Sequence, residues 1–412
     1  MSTPRIAIIG AGQAAAQAIE TLVKRGHQGL ITLVGDEGLL PYQRPPLSKK
    51  FLAGTLDRDR LLIRHAAHYT DHGVDLRMGF AAVKIDRALR RIDIADGSSV
   101  EYDSLLLATG SHPRLLPLPG AELVGVHYLR SVGDVEKLRA EVAPGRRVVI
   151  IGGGYIGLEV AATCREAGLD VTVLEAADRV MNRVVSPALS AFYEAEHAKH
   201  GVRILCGARI DSLVASDSSA SGTRRVAAVR LDDGHELRAD FVLVAIGVLP
   251  SDALARAAGL DCDNGILVDE YCRTNDAHIW AAGDCARHPS IHYGTRVRLE
   301  SVDNAFEQGT SAALNMLGIR TIHDKVPWFW SDQFDLKMVI VGLSAAHDEV
   351  VLRGDPSSRA FSVCYLRDGE LIAVETVNHT KDQMAARKLI PARARPELAK
   401  LADPAVALKD AF

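Results

Sequence analysis

The chain has 412 residues, of which 48% are hydrophobic and 24% charged, enough to bury two or three globular cores. Its formal net charge of −4 excludes a nucleic-acid binder held by bulk positive charge and leaves any basic docking face to be local. No apolar run approaches the roughly 18 residues a membrane helix needs, and Met1-Ser2-Thr3-Pro4-Arg5 opens without a signal core, so a soluble, cytoplasmic protein is expected.

Arg5-Ile6-Ala7-Ile8-Ile9 reads as a strand that breaks into Gly10-Ala11-Gly12-Gln13-Ala14-Ala15 and then a helix to about Arg25. This is a dinucleotide turn with alanine at its third small position, which still permits close helix–strand contact. The next strand, Leu30 to Val34, ends in Gly35-Asp36-Glu37, and Asp36 or Glu37 is the ribose acceptor by position. Pro41-Tyr-Gln-Arg-Pro-Pro-Leu-Ser-Lys-Lys50 cannot be an ordinary helix interior. From composition alone it is equally a surface loop. A strand-rich stretch from Asp75 to Ile94 precedes Tyr102 to Gly110, a buried strand running into the small-residue turn Ala108-Thr109-Gly110.

A proline-containing linker from Pro113 leads to the stretch that organises the chain. Val148-Val-Ile-Ile151 breaks into Gly152-Gly-Gly154-Tyr155-Ile156-Gly157, a helix follows to Gly168, and Val171 to Leu174 ends in Glu175. Gly152 suits a tight turn, Gly154 a close approach of backbone N–H groups to a pyrophosphate, Gly157 close helix–strand packing, and Glu175 a ribose hydroxyl. The polar Ser216 to Thr223 stretch is expected to be an exposed turn between strands. Asp240 to Gly247 repeats the acid, strand and glycine of Asp103 to Gly110, and His278 to Ala282 ends in Gly283-Asp284. A helix is expected to begin near Ser301-Val302. After Pro327 short alternating runs mark a third domain, with Trp328 and Trp330 on one face of a strand and Phe329 on the other.

The expected fold is therefore α/β, with two Rossmann-like dinucleotide-binding domains and a C-terminal α+β domain. The boundaries are 1–112 with 248–326 for a discontinuous first domain, 113–247 for the second and 327–412 for the third. Two dinucleotide modules imply two nucleotides, most economically a tightly held flavin and an exchangeable nicotinamide cofactor. The six cysteines, Cys164, Cys206, Cys262, Cys272, Cys285 and Cys364, form no C-x-x-C or C-x-x-x-x-C pair. They are expected to be reduced and buried, and no metal site is expected.

These motifs resemble the NADH-dependent ferredoxin reductases of bacterial oxygenase systems, whose modules are glutathione-reductase-like. The resemblance rests on Arg44-Pro-Pro-Leu-Ser-Lys49, Ala108-Thr-Gly110, Gly152 to Glu159, Gly283-Asp284 and Pro327-Trp-Phe-Trp-Ser-Asp-Gln333. It implies FAD held by Gly10, Gly12, Ala14 and Ala15 at the pyrophosphate and Asp36 at the ribose. Arg44 and Lys49 would line its phosphate and isoalloxazine, Ala82 would meet the adenine and Arg130 would close over it. Ala108, Thr109, Gly110 and Gly283 would contact it too. Asp284 would hold the ribityl chain, unless it merely caps a helix. The helix start at Ser301-Val302 would face the pyrimidine end, where a helix N-terminus stabilises negative charge by about 1–2 kcal/mol.

For NADH the resemblance implies Gly152, Gly154, Tyr155, Ile156, Gly157, Glu175 and Gly247, with Glu159 at the carboxamide and paired to Lys49 near the flavin N5. Without the resemblance, Lys49 and Glu159 read equally as surface charges. Glu175 would repel a 2′-phosphate, although Arg179 lies close enough in sequence to complicate this. Trp330 would sit by the flavin, and an acidic [2Fe–2S] ferredoxin would dock nearby, with Arg296, Arg298, Arg320 and Lys337 as candidate contacts. Lys49, Glu159 and Trp330 are thus the candidate catalytic residues. The electrons would go on to a cytochrome P450 or a ring-hydroxylating dioxygenase. A disulfide reductase is disfavoured by the missing cysteines near residues 40 to 50. A flavoprotein of the apoptosis-inducing-factor kind lacks its usual basic surface or targeting segment here, and rubredoxin reductase differs only in the acceptor.

Overall fold

The computed structural model describes residues 3–216 and 224–412, so that 217–223 of the stretch expected as an exposed turn lie outside the described residues. By its packing the chain divides into two units, one of Met1–Gln43, Asp59–His112 and Leu249–Phe329, the other of Arg44–Arg58, Pro113–Val248 and Trp330–Phe412.

The first unit is built on a five-stranded parallel sheet in the order Ile279–Ala281, Ser104–Leu107, Ile6–Ile9, Ile31–Gly35, Val74–Met78. Ile6–Ile9 and Ser104–Leu107 are buried along their whole length, as parallel strands covered on both faces must be. The Gln13–Lys24 helix packs against the Val302–Met316 helix so closely that a Cβ on Gly309 would collide with the backbone of Ala14. Ala82–Asp86, Arg91–Ile94 and Ser99–Glu101 form a separate antiparallel sheet.

The second unit repeats the device. Its parallel sheet runs Arg203–Cys206, Asp170–Glu175, Arg147–Ile151, Phe241–Val244, Val126–His127. A five-stranded sheet follows in the order Trp328–Gln333, Leu336–Gly342, Glu370–Val377, Phe361–Arg367, Glu349–Arg353, with the Thr380–Leu389 helix packed against it. The Arg44–Arg58 segment belongs here rather than with the first dinucleotide module. It is not a surface loop, since Leu47, Ser48, Phe51 and Leu52 are buried, and the Arg139 guanidinium lies 4.4 Å over the Phe51 ring and donates to its carbonyl. The two prolines leave it one short 3₁₀ turn, Pro45–Ser48.

A buried ion pair ties the C-terminal sheet to its helices. Arg353 Nε donates to Asp382 Oδ2 at 2.8 Å, both side chains are 3% exposed, and Ser362 donates to the same oxygen. Removing one charge strands the other in a dry interior. Asp382→Asn is therefore expected to lower the unfolding free energy by about 3 kcal/mol. Equilibrium urea unfolding checks this, and an unchanged midpoint contradicts it.

Candidate functional site

In the first unit the turns after three neighbouring parallel strands share one carboxyl edge, the usual place for a ligand in such a sheet. Gly10 follows Ile6–Ile9 with φ +101°, and a Cβ there would collide with the Ala108 carbonyl oxygen at the end of the adjacent strand. Gly12 caps the Gln13–Lys24 helix with no side chain accepting from the first N–H groups, and a Cβ there would meet no described atom within 4 Å. Unsatisfied N–H donors beside open space suit a pyrophosphate. Ala14 and Ala15 are buried at the helix start.

Beyond Ala108, Thr109 Oγ1 donates to the Ser251 carbonyl at 2.6 Å, and Gly110 accepts from the Ser251 N–H. Asp284 lies between Ile279–Ala281 and Ala286–Ser290 and accepts from Ser111 Oγ at 2.8 Å. No helix begins there, so the reading of Asp284 as a helix cap fails. The Gly283 N–H donates to Gln308 Oε1 at 2.7 Å, nearly two turns inside the Val302–Met316 helix that Ser301 caps. Gln308 is fully buried, and His288 Nδ1 lies 2.9 Å from its amide nitrogen. Burial holds His288 down to about 4 and its ring neighbour His323 to about 3, so both stay neutral at working pH. The Gln308 network was absent from the sequence reading, because its partners are brought together only by folding.

Asp36 follows the strand end Gly35, where a side chain would strike Ala11 and Met78, so the acid comes one residue later than in the second module. It is exposed and accepts from the Glu37 N–H at 3.0 Å, while Glu37 accepts from the Tyr42 hydroxyl at 2.5 Å. Ala82 is half-buried at the start of the Ala82–Asp86 strand.

The second unit carries the matching turn. Gly152 has φ +109°, and a Cβ would collide with the Ala245 carbonyl oxygen; one on Gly157 would collide with the Gly152 carbonyl oxygen. Gly154 caps the Tyr155–Glu166 helix, again without a side-chain acceptor and with open space where a Cβ would be. Ile156 is exposed beside it, and Gly247 follows the Phe241–Val244 strand. Glu175 Oε2 accepts from the Gly153 N–H at 2.7 Å and Oε1 from the Ala177 N–H at 2.8 Å, which locks the carboxylate at the strand tip. Each oxygen keeps a lone pair for a hydroxyl. The Arg179 guanidinium is spent on Val185 O, Asn182 O and Ser190 Oγ.

Lys49 and Glu159 are not surface charges. Glu159 is 3% exposed; Lys49 Nζ lies 2.8 Å from its Oε2, Ser48 Oγ donates to the same oxygen at 2.5 Å, and Ser331 Oγ donates to Oε1 at 2.7 Å. Thr163 Oγ1 adds a bond to the Ser48 carbonyl at 2.9 Å. Three donors, one of them an ammonium, hold this buried carboxylate in a single rotamer. Ser48 and Ser331 carry no mark of this role in the sequence, although both fall within the Arg44–Lys49 and Pro327–Gln333 motifs. Trp330 is half-buried next to Ser331 on the Trp328–Gln333 strand, and Arg44 Nη1 donates to the Arg130 carbonyl at 2.6 Å.

Of the candidate docking charges, Arg296, Arg320 and Lys337 are exposed. Arg298 is not a docking contact of that kind, being 10% exposed and held by Glu300 at 2.8 Å and by the Asp284 carbonyl. All six cysteines are free, four of them buried. Cys206 and Cys262 depart from the expected burial, the first exposed and the second half-buried, yet the Cys206 thiol is still pushed up to about 11 by partial burial and Glu194. Burial raises the other five as well, so no environment here favours a thiolate.

A family model described as pyridine nucleotide-disulphide oxidoreductase matches residues 4–309, and one described as reductase C-terminal matches residues 328–412. The chain is 46% identical over 385 residues to rhodocoxin reductase of Rhodococcus erythropolis, covering 93% of this chain and 89% of that protein. It is 41% identical over 406 residues to the 5,5'-dehydrodivanillate O-demethylase ferredoxin reductase subunit of a Sphingobium species, covering 98% and 97%. The solved covalent putidaredoxin reductase–putidaredoxin complex matches with a TM-score of 0.95 at 39% identity, over 99% of this chain and 98% of that one. With two dinucleotide turns of one design and a C-terminal sheet, the chain belongs to the pyridine nucleotide-disulphide oxidoreductase family, in a form without the cysteine pair near residues 40 to 50.

Proposed function

We propose that this chain is a cytoplasmic, FAD-containing, NADH-dependent ferredoxin reductase that passes electrons singly to an acidic [2Fe–2S] ferredoxin supplying a cytochrome P450 or a ring-hydroxylating dioxygenase. The observation that carries this is the pair of glycine turns whose helix N–H groups have no side-chain cap, in a chain with no thiol suited to relay electrons. The relatives named as ferredoxin reductases support the acceptor. Flavin, when bound, splits the two electrons of a nicotinamide hydride into single steps.

The protein's part is binding, orientation and charge placement. Gly10, Gly12, Ala14 and Ala15 receive the FAD pyrophosphate, Asp36 the adenosine ribose, and Asp284 with the capped helix start at Ser301-Val302 the flavin end. Gly152 and Gly154 receive the NADH pyrophosphate. Glu159, fixed by Ser48, Ser331 and Lys49, presents a carboxylate of set position to the carboxamide.

Glu175 decides between NADH and NADPH. Its charge is pinned where a 2′-phosphate would lie, and Arg179 is committed elsewhere. The expected result is a higher kcat/KM for NADH, with Glu175→Ala eroding the ratio about tenfold. A wild-type preference for NADPH contradicts it. The overall reading is tested by NADH-driven cytochrome c reduction with a [2Fe–2S] ferredoxin or a rubredoxin added in turn. Ferredoxin is expected to support the faster rate and to lose it as salt rises. Protein that purifies colourless and takes up no flavin overturns the proposal.

A further inference from the structure

Glu375 is a buried acid that the reaction as described leaves unused. It lies on Glu370–Val377, an inner strand of the C-terminal sheet, and is 1% exposed. Its Oε2 accepts from the Ser186 N–H at 3.2 Å and from Ser186 Oγ at 3.1 Å. Ser186 caps the Pro187–Lys199 helix, its Oγ accepting in turn from the Leu189 N–H at 3.1 Å. One carboxylate of the C-terminal sheet therefore sets the start of a helix in the dinucleotide module.

The residues between Glu175 and Ser186 form a strap held at several points: the Val180 N–H donates to Glu194 Oε1 at 3.0 Å, the Val180 carbonyl accepts from Ser190 Oγ, and Arg179 is bonded to Val185 O, Asn182 O and Ser190 Oγ. Near its middle the Met181 N–H donates to the Gly153 carbonyl inside the glycine turn, and Met181 takes φ +51°, a costly conformation that tight surroundings must enforce. At its far end the strap is held by Glu375. Val180, Met181 and Val185 are buried along it, and Glu175 stands at its head.

We propose that Glu375 is a positioning residue for the nicotinamide cofactor, holding Ser186 so that the 176–186 strap keeps Glu175 and the Gly152–Gly154 turn in binding geometry. The proposal rests on the reading of that turn as the NADH site. Loss of the anchor loosens binding and leaves the flavin and the Lys49–Glu159 pair untouched, so KM rises while kcat stays.

The surroundings of Glu375 give this a distinctive pH signature. The groups facing it are Tyr365 on the neighbouring strand, Tyr155 at the head of the Tyr155–Glu166 helix and Arg179 in the strap; Tyr193, from the Pro187–Lys199 helix, faces Tyr155. Burial pushes the Glu375 carboxyl up to about 7. The ionised form is the stronger acceptor for the Ser186 donors, so the anchor tightens as pH rises through 7. Stability runs the other way. Folding raises this acid above its ordinary 4.5, so the contribution of its neutral form is complete below pH 4.5 and is lost as pH climbs through about 7.

The test is steady-state NADH oxidation with ferricyanide as acceptor, from pH 6 to 8, by wild type, Glu375→Gln, Glu375→Ala and Ser186→Ala holoenzymes. The wild-type KM for NADH is expected to fall about threefold as pH rises, and Glu375→Gln to hold a flat, high KM with kcat within about twofold of wild type. Glu375→Ala is expected to raise KM about tenfold and Ser186→Ala less, since the latter leaves the backbone donor in place. Should Glu375→Ala fail to fold, the isosteric Glu375→Gln and Ser186→Ala decide. Wild-type KM and pH dependence in both of those variants overturn the proposal. A wild-type protein that does not oxidise NADH overturns the reading beneath it, a distinguishable result.

Discussion

Replacing Lys49 by alanine is expected to slow reduction of the bound flavin by NADH about ten- to a hundredfold in single-turnover stopped flow, with flavin content unchanged. Glu159 accepts from three donors among the described residues, of which Lys49 alone is charged. Without the ammonium, a buried carboxylate faces two neutral serine hydroxyls with no opposite charge beside it, and its position is no longer fixed. On the proposed reading, that position is what would orient the carboxamide. A stability loss could mimic this effect, so the informative comparison is the double variant Lys49→Met with Glu159→Gln. Removing both charges restores the melting temperature, because no unpaired ion remains, and does not restore the rate. Rapid reduction in Lys49→Ala removes the lysine from the reaction, and recovered rate in the double variant reduces the pair to a structural role.

Gly10→Val is expected to abolish both flavin retention and stable folding, whereas Gly12→Ala is expected to spare folding. The two glycines are two residues apart and do different things. At Gly10 the backbone has φ +101°, and any Cβ collides with the Ala108 carbonyl of the adjacent strand, which cannot move without breaking the parallel ladder. The cost exceeds about 4 kcal/mol, a large share of the stability of any domain. At Gly12 a Cβ meets nothing within 4 Å, so alanine costs the fold only about 1 kcal/mol through the weaker helix cap. On the proposed reading it does occupy the space through which a pyrophosphate would approach the N–H groups. Gly12→Ala is accordingly expected as folded, soluble protein with less bound flavin, measured by the visible flavin absorbance per chain against the melting temperature. Wild-type flavin content in Gly12→Ala denies the turn a role in phosphate binding, and a wild-type melting temperature in Gly10→Val contradicts the collision.

The glycine turns were legible in the sequence because each is a local device. Strand, turn, helix and the acid at the second strand's tip fall within one short stretch, and their residue types follow from backbone sterics and hydrogen bonding at that place. The helix start at Ser301 and the break in pattern after Pro327 are local in the same sense. Register was not legible. From spacing, Asp36 and Glu37 were equivalent choices, and only the pairing of Ile9 with Val34 shows that Gly35, not an acid, occupies the place corresponding to Glu175.

Composition and motif spacing alone determined the fold class, the two nucleotide turns and the lack of a cysteine pair where a thiol relay would stand, since each depends on neighbours along the chain. The tertiary structure decided which charges are isolated from water and which are not. Ser48 and Glu159 are 111 residues apart and Ser331 lies 172 beyond Glu159, yet they share one buried carboxylate; Arg298, which looks like any surface arginine, is spent inside its own unit. Burial and long-range hydrogen bonding depend on which segments the fold brings together, and residue types a hundred positions apart carry no local mark of that meeting.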